Sequence, residues 1–137
     1  MIRRLHPSLL LALVSILVPG SARGQNVVVV YHSATGHTRL MAEAVAEGAR
    51  SLAGSDVRLR TVEEATQDDL LWADAVVVGS PVRTANIAPE VAAFINAMPF
   101  GGEMKDKVGA AFVTGGGISA GEELTQVALL HALLVYG

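Results

Sequence analysis

Cysteine is absent from this 137-residue chain. That excludes disulfides, thiolate metal sites, a cysteine nucleophile and a lipoprotein cleavage site. Charge is sparse and leans acidic: charged residues make up 17% and the net charge is -3. This balance argues against nucleic acid as the main partner. Aromatics are scarce at 4%, with a single tryptophan, Trp72. Two loops, 80–88 and 114–119, contain none. There is no Gly-Lys-Ser/Thr and no G-x-G-x-x-G, so the nucleoside-triphosphatase loop and the common dinucleotide loop are both missing. The leading apolar run, Leu9 to Val18, is too short for a comfortable membrane span. The length suits one modest domain.

The beginning of the chain differs in kind from the rest. Arg3 and Arg4 precede the apolar run, and Pro19, Gly20, Ser21 and Ala22 follow it. A basic head, a short apolar core and a small-residue exit read as a signal peptide over residues 1–24, cleaved after Ala22 or Gly24. The expectation is an exported protein, periplasmic or secreted, with no stable membrane anchor. The alternative is an uncleaved N-terminal anchor. The Arg3-Arg4 pair also raises the twin-arginine export route, but His6 and Pro7 follow and the pair lies very early, so an ordinary basic signal head is the better reading.

Residues 25–137 read as one domain. Val27 to Val30 is a β-branched run extended by Tyr31, as in a strand buried on both faces. Leu40, Met41, Ala44, Val45, Gly48 and Leu52 then recur at helical spacing over Thr38 to Ala53. Asp56 to Val62 alternates as an edge strand does. Thr66 caps a short helix ending near Asp74. Asp74 to Gly79 is a third strand, and Pro89 opens the helix after it. Val108 to Val113 is a fourth strand. Glu122 to Val135 is a last helix, with Leu124, Val127, Ala128, His131 and Leu134 along its inner side. Strand and helix alternate four times, which predicts an α/β, doubly wound parallel sheet.

In such sheets ligands bind beyond the carboxyl ends of the strands. Three loops of small and polar residues leave those ends: Ser33–Thr38, Ser80–Ile87 and Thr114–Ser119. The first feeds a helix N-terminus, where backbone N–H groups favour an anion. Ser33, Thr35 and Thr38 add hydroxyls, Gly36 permits a tight turn, and no lysine is present. A phosphate held by hydroxyls and backbone suits flavin mononucleotide (FMN) better than a transferable phosphate. An ordinary Ser/Thr-capped turn is the competing reading of this loop alone.

Taken together, the loops resemble the flavodoxin-like superfamily, and within it the tryptophan-repressor-binding-protein-like quinone oxidoreductases. Gly79-Ser80-Pro81-Val82-Arg83-Thr84-Ala85-Asn86-Ile87 is similar to that family's G-[ST]-P-x-R-x-G-N-[MI]. Thr114-Gly115-Gly116-Gly117 resembles its glycine-rich loop. The resemblance implies two-electron reduction of a small-molecule quinone, with NADH or NADPH as hydride donor and FMN as carrier, in a homo-oligomer (a tetramer). It implies that Ser33, Thr35, Gly36, His37 and Thr38 hold the phosphate. Pro81, Val82, Arg83, Thr84, Ala85, Asn86 and Ile87 would line the flavin ring, and Thr114, Gly115, Gly116 and Gly117 its polar edge. No catalytic side chain follows, since the flavin carries the hydride step. A flavodoxin-type electron-transfer module without hydride-donor activity is the alternative, and an inactive fragment a further one.

The chain departs from the pattern in places. Thr84 and Ala85 stand where the family has an aromatic nearby and a glycine before the asparagine. The family continues into a fifth strand and helix, whereas this sequence stops at Tyr136-Gly137. The expectation is a sheet truncated after the fourth helix. Aligning Gly137 with the glycine that opens the family's last strand puts Tyr136 where a histidine lies over the flavin. Gly115 to Gly121 also resembles a G-x-G-x-x-x-G dinucleotide loop. That reading leaves the first loop unexplained. His32 and His37 lack a third metal ligand at suitable spacing, so no metal site is expected.

Overall fold

The computed structural model describes residues 24–137. All but the last residue of the expected signal peptide therefore lies outside the described residues. The elements run β1 (Asn26–Tyr31), α1 (His37–Arg50), β2 (Asp56–Thr61), α2 (Gln67–Trp72), β3 (Ala75–Arg83), β4 (Asn86–Ile87), α3 (Pro89–Asn96), β5 (Val108–Thr114) and α4 (Glu122–Val135). The long strands form a parallel sheet in the order β2-β1-β3-β5, with the short β4 folded back antiparallel on β3. The doubly wound parallel architecture is the one expected from the alternation of strands and helices.

The valine runs explain the centre of the sheet. Val28 pairs in register with Val76, and Val30 with Val78, all essentially without exposure. Successive strand side chains point to opposite faces, so both faces must be covered. Val28 and Val30 meet Leu70 of α2, Val91 and Ile95 of α3, and Leu129 of α4. Val29 and Tyr31 meet Ala42 and Ala46 of α1 on the other face.

Two helices turn a different side to the sheet from the one expected. In α1 the buried residues are Thr38, Ala42 and Ala46, while Leu40 and Met41 face solvent. The small alanines let the helix axis lie close to the sheet; larger side chains at those positions would hold it off. In α4 the buried pair is Thr125 and Leu129, whereas Leu124, Val127 and Leu134 are exposed, as is His131. Apolar residues surround α4, so spacing alone does not single out one face. Thr125 is tolerated inside because its hydroxyl donates to the Gly121 carbonyl at 2.8 Å.

The helix expected to reach Ala53 stops at Arg50, and the third strand continues past Gly79 to Arg83. Within that extension Ser80 and Pro81 still pair with Val113 and Thr114 of β5, and Val82 and Arg83 enter the β3–β4 hairpin, the main feature not anticipated.

Candidate functional site

Because the strands are parallel, the loops after β1, β3 and β5 emerge together at their carboxyl ends. They enclose a cleft of about 370 Å³, lined by Ala34, Thr35, His37, Thr38, Pro81, Val82, Arg83, Thr114, Gly115 and Gly116. The volume lies in the range of small-ligand sites.

The floor is the start of α1. Gly36 precedes the helix with φ 94°, a left-handed conformation that glycine adopts without penalty. The Ser33 hydroxyl accepts the N–H groups of Gly36 and Arg39, at 3.1 and 3.2 Å. Ser33 thus shapes the loop from below and does not line the cleft. First-turn N–H groups have no partner within a helix, so those of His37 and Thr38 point outward at the cleft floor. Thr38 is buried and shares a 2.8 Å hydrogen bond with the Thr114 hydroxyl, tying the first loop to the third. Thr35 is exposed, and its hydroxyl lies 3.1 Å from His37 Nδ1.

One wall is the β3–β4 hairpin. Ser80, fully buried, fixes it: its hydroxyl accepts the Ala88 N–H at 3.0 Å and donates to the Pro81 carbonyl at 2.8 Å. Pro81, Val82 and Arg83 therefore face the cleft from an anchored segment. Thr84 and Ala85 form the two-residue tip, both with positive φ, 51° and 56°. Such a tip favours glycine or asparagine. The departure from the family's glycine thus falls on a residue held in an unfavourable backbone region. The tip rests on Gly121, where an added Cβ would lie 2.5 Å from the Ala85 Cα. Asn86 turns back on itself, its Oδ1 accepting the Ile87 N–H, and Ile87 packs toward the core.

The third loop closes the cleft. Gly115 lies against the Glu122 carboxylate, and Oε2 of Glu122 is buried without a hydrogen-bond partner. Such an acceptor has lost its water and requires a donor from elsewhere.

Of the residues singled out from sequence, nine share the cleft: Thr35, His37, Thr38, Pro81, Val82, Arg83, Thr114, Gly115 and Gly116. Ser33, Gly36, Thr84, Ala85, Asn86, Ile87 and Gly117 do not line it, and several of them shape the loops that do. Ser80 and Glu122 were not singled out, and Gly121 was quoted only as the last glycine of the competing dinucleotide motif. Ser80 stands inside a quoted motif, yet only its burial reveals that it is the anchor. His32 and His37 diverge. The first lies 3.6 Å from Glu63 and 3.8 Å from Glu90, and the second turns to Thr35. Tyr136 lies at the other end of the sheet beside Val108 and Gly109, its hydroxyl donating to the Ile95 carbonyl. The alignment placing it over a flavin is therefore overturned for this chain's own cleft.

A parallel 2-1-3 strand order, with a hydroxyl-rich cleft above the carboxyl ends, defines a flavodoxin-like α/β protein. A family model described as a flavodoxin domain matches residues 28–129, and the chain belongs to that family. It is 42% identical over 113 residues to a flavodoxin of Aquifex aeolicus, covering 81% of this chain and 61% of that protein. It is 35% identical over 134 residues to an NAD(P)H dehydrogenase (quinone) of Azorhizobium caulinodans, covering 81% of this chain and 67% of the relative. The chain thus spans about two thirds or less of these relatives' length. Among solved structures, it superposes with a TM-score of 0.74 on a flavodoxin, WrbA-like protein from Agrobacterium tumefaciens, at 30% identity, covering 83% of this chain and 74% of that one.

Proposed function

We propose that this cleft binds FMN and that the protein is an NAD(P)H:quinone oxidoreductase, an enzyme that passes hydride from NADH or NADPH to a small quinone. The observation that carries the proposal is the convergence of the three loops on one hydroxyl-lined cleft above a helix N-terminus. The residues present fit the cofactor. Free first-turn N–H groups and the Thr35 and Thr38 hydroxyls suit a single phosphate dianion. The cleft has no lysine, which suits a phosphate that stays in place. Bound FMN supplies hydride chemistry that no side chain here offers. Pro81, Val82 and Arg83 form the wall against which the ring system rests, and Gly115 and Gly116 let backbone approach its edge. Arg83 is exposed at the lip and placed to meet an anionic donor or acceptor.

A second reading is favoured by the 42% identical relative, itself named a flavodoxin: a one-electron carrier without a hydride donor. The lack of aromatic residues in loops 80–88 and 114–119 favours the enzyme, since a carrier gains from rings that clamp the flavin. NADH and NADPH oxidation with benzoquinone, by protein reconstituted with FMN, separates the two. Turnover with either donor supports the enzyme. FMN binding without turnover supports the carrier. We further propose export with removal of residues 1–24; a new N-terminus between Arg23 and Gln25, seen by mass spectrometry of exported material, is the expected result.

A further inference from the structure

Among the described residues that line the cleft there is no lysine, and the one side chain of a type that changes charge near neutral pH is His37. His37 opens α1, Thr35 lies two residues before it, and both are exposed. Their side chains share one hydrogen bond, between Thr35 Oγ1 and His37 Nδ1 at 3.1 Å. A single proton sets the direction of that bond. With Nδ1 bare, the Thr35 hydroxyl donates to the ring, and only oxygen lone pairs remain for the cleft. With Nδ1 protonated, His37 donates, and the Thr35 O–H is released to donate elsewhere. The neutral ring has one N–H to place on either nitrogen, whereas the imidazolium carries both and leaves no choice. An anion in the cleft requires donors, so the two directions are not equivalent for it.

We propose that His37 is a positioning residue of the cleft floor: a proton on its Nδ1 turns Thr35 into a donor and so couples phosphate affinity to pH. The inference rests on the FMN reading of the cleft and adds the proton state in which the phosphate is held. The surrounding charges leave His37 as the group that varies. Arg83 faces the same cleft from the β3–β4 hairpin, and the Glu122 carboxylate lies behind Gly115 of the third loop. Arg39 and Glu43 pair with each other at 3.8 Å farther along α1. Guanidinium and carboxylate groups hold their charge between about pH 6 and 8, the range in which imidazole gives its own up. His32 also adjoins the first loop, but its ring is directed at Glu63 and Glu90. A bound phosphate favours the protonated ring, so binding weakens as pH rises through the imidazole range.

The test is FMN affinity, read by fluorescence titration at about pH 6 and about pH 8, for the full chain and its variants. A phosphate monoester loses its second proton near pH 6, an effect common to every variant, so the profiles are compared with one another. An asparagine amide carries its nitrogen on Cγ, as imidazole carries Nδ1, and keeps its N–H at both values. Relative to His37→Asn, the unaltered chain is expected to lose about fivefold in FMN affinity between the two pH values, as a bond to a charged acceptor is withdrawn. His37→Asn is expected to remove that decline and not the binding. Thr35→Ala is expected to erase the difference between the two profiles, because His37 acts through the Thr35 hydroxyl. His32→Gln is expected to keep the full decline, and riboflavin, which has no phosphate, to show none. Parallel profiles for the unaltered chain and His37→Asn overturn the inference. A decline that survives Thr35→Ala, vanishes in His32→Gln or appears equally with riboflavin also overturns it. FMN bound by none of these chains at either pH, while each still unfolds cooperatively, overturns the FMN reading itself, and this inference with it.

Discussion

Ser80 is the residue on which the cleft wall depends, although it does not face the cleft. It is fully buried and the acceptor for the Ala88 N–H. Ser80→Ala leaves that donor without a partner, at a cost of about 1–3 kcal/mol. Urea unfolding is expected to show this loss, with the hairpin bearing Arg83 loosened as a consequence. Ala85 presents the opposite case. It holds φ 56° in a two-residue turn, and a non-glycine residue there is strained by about 1–2 kcal/mol. Ala85→Gly relieves the strain but gives the unfolded chain more freedom, so a net gain near 0.5–1 kcal/mol is expected in the same measurement. Thr35 tests ligand assignment directly. Its exposed hydroxyl faces the cleft, and Thr35→Ala is expected to weaken FMN binding by about 1–3 kcal/mol through loss of a bond to a charged acceptor. Thr66, which caps α2 and lies outside the cleft, serves as control. Thr66→Ala is expected to lower stability by about 1 kcal/mol and to leave FMN affinity unchanged. Fluorescence titration gives both affinities, and equal losses would contradict the site.

At the scale of elements, α2 shows how a short helix is held. Thr66 and Asp69 form a reciprocal capping box, and Arg58 and Arg60 of β2 both donate to the Asp69 carboxylate, at 3.0 and 3.3 Å. The Arg58 guanidinium also lies 3.8 Å from the centre of the Trp72 ring. Burial raises the Asp69 pKa, but the Thr66 N–H, the Arg58 and Thr66 hydrogen bonds and the Arg60 charge outweigh it and hold the carboxyl below its ordinary value. A depressed folded-state pKa contributes stability that is complete above the unfolded value near pH 4 and is lost as pH falls through the folded value. Asp69→Asn should therefore flatten the acid limb of a stability-versus-pH curve below about pH 4 and leave its slope near neutrality unchanged. The cap itself was legible in the sequence, because Thr-x-x-Asp before an apolar pair is a local signal. The strands were legible for a similar reason: valine runs bounded by turn residues have few other uses. The faces of α1 and α4 were not legible. Their apolar residues outnumber those the sheet can cover, and the choice among them is made by tertiary fit, through Ala42 and Ala46 in one and Thr125 and Leu129 in the other. The three loops could be found because each follows an apolar strand run, although β5 itself is only partly buried. What could not be found was which loop residues face inward, since the hairpin at Thr84–Ala85 and the anchor at Ser80 depend on contacts remote in sequence.

For the molecule as a whole, the three cleft loops are hung on β1, β3 and β5, which differ in how firmly they are held. Among the described residues, β1 is paired on both sides and β3 likewise along the main sheet, whereas β5 is paired with β3 alone. The third loop is joined to the first through the single Thr38–Thr114 hydroxyl pair. A ligand spanning the cleft adds a second connection, from the firmest strand to the least supported one. Anything that binds the folded state alone stabilises it by mass action, about 2.7 kcal/mol at one hundred times its Kd. FMN at that excess is therefore expected to raise the unfolding temperature by several degrees. The rise in hydrogen-exchange protection should be greatest in β5 and the 115–121 loop, and least in β1, which is already protected. Riboflavin has the same ring and lacks the phosphate, so it should give a smaller shift at equal concentration. FAD needs room for a second phosphate and an adenosine, which this single hydroxyl loop does not supply, so it should also fall below FMN. A shift from riboflavin equal to that from FMN would remove the phosphate role from Thr35, Thr38 and the α1 N-terminus. Protection confined to the first loop would show that the ligand does not reach β5, and that the cleft works as two loops and not three.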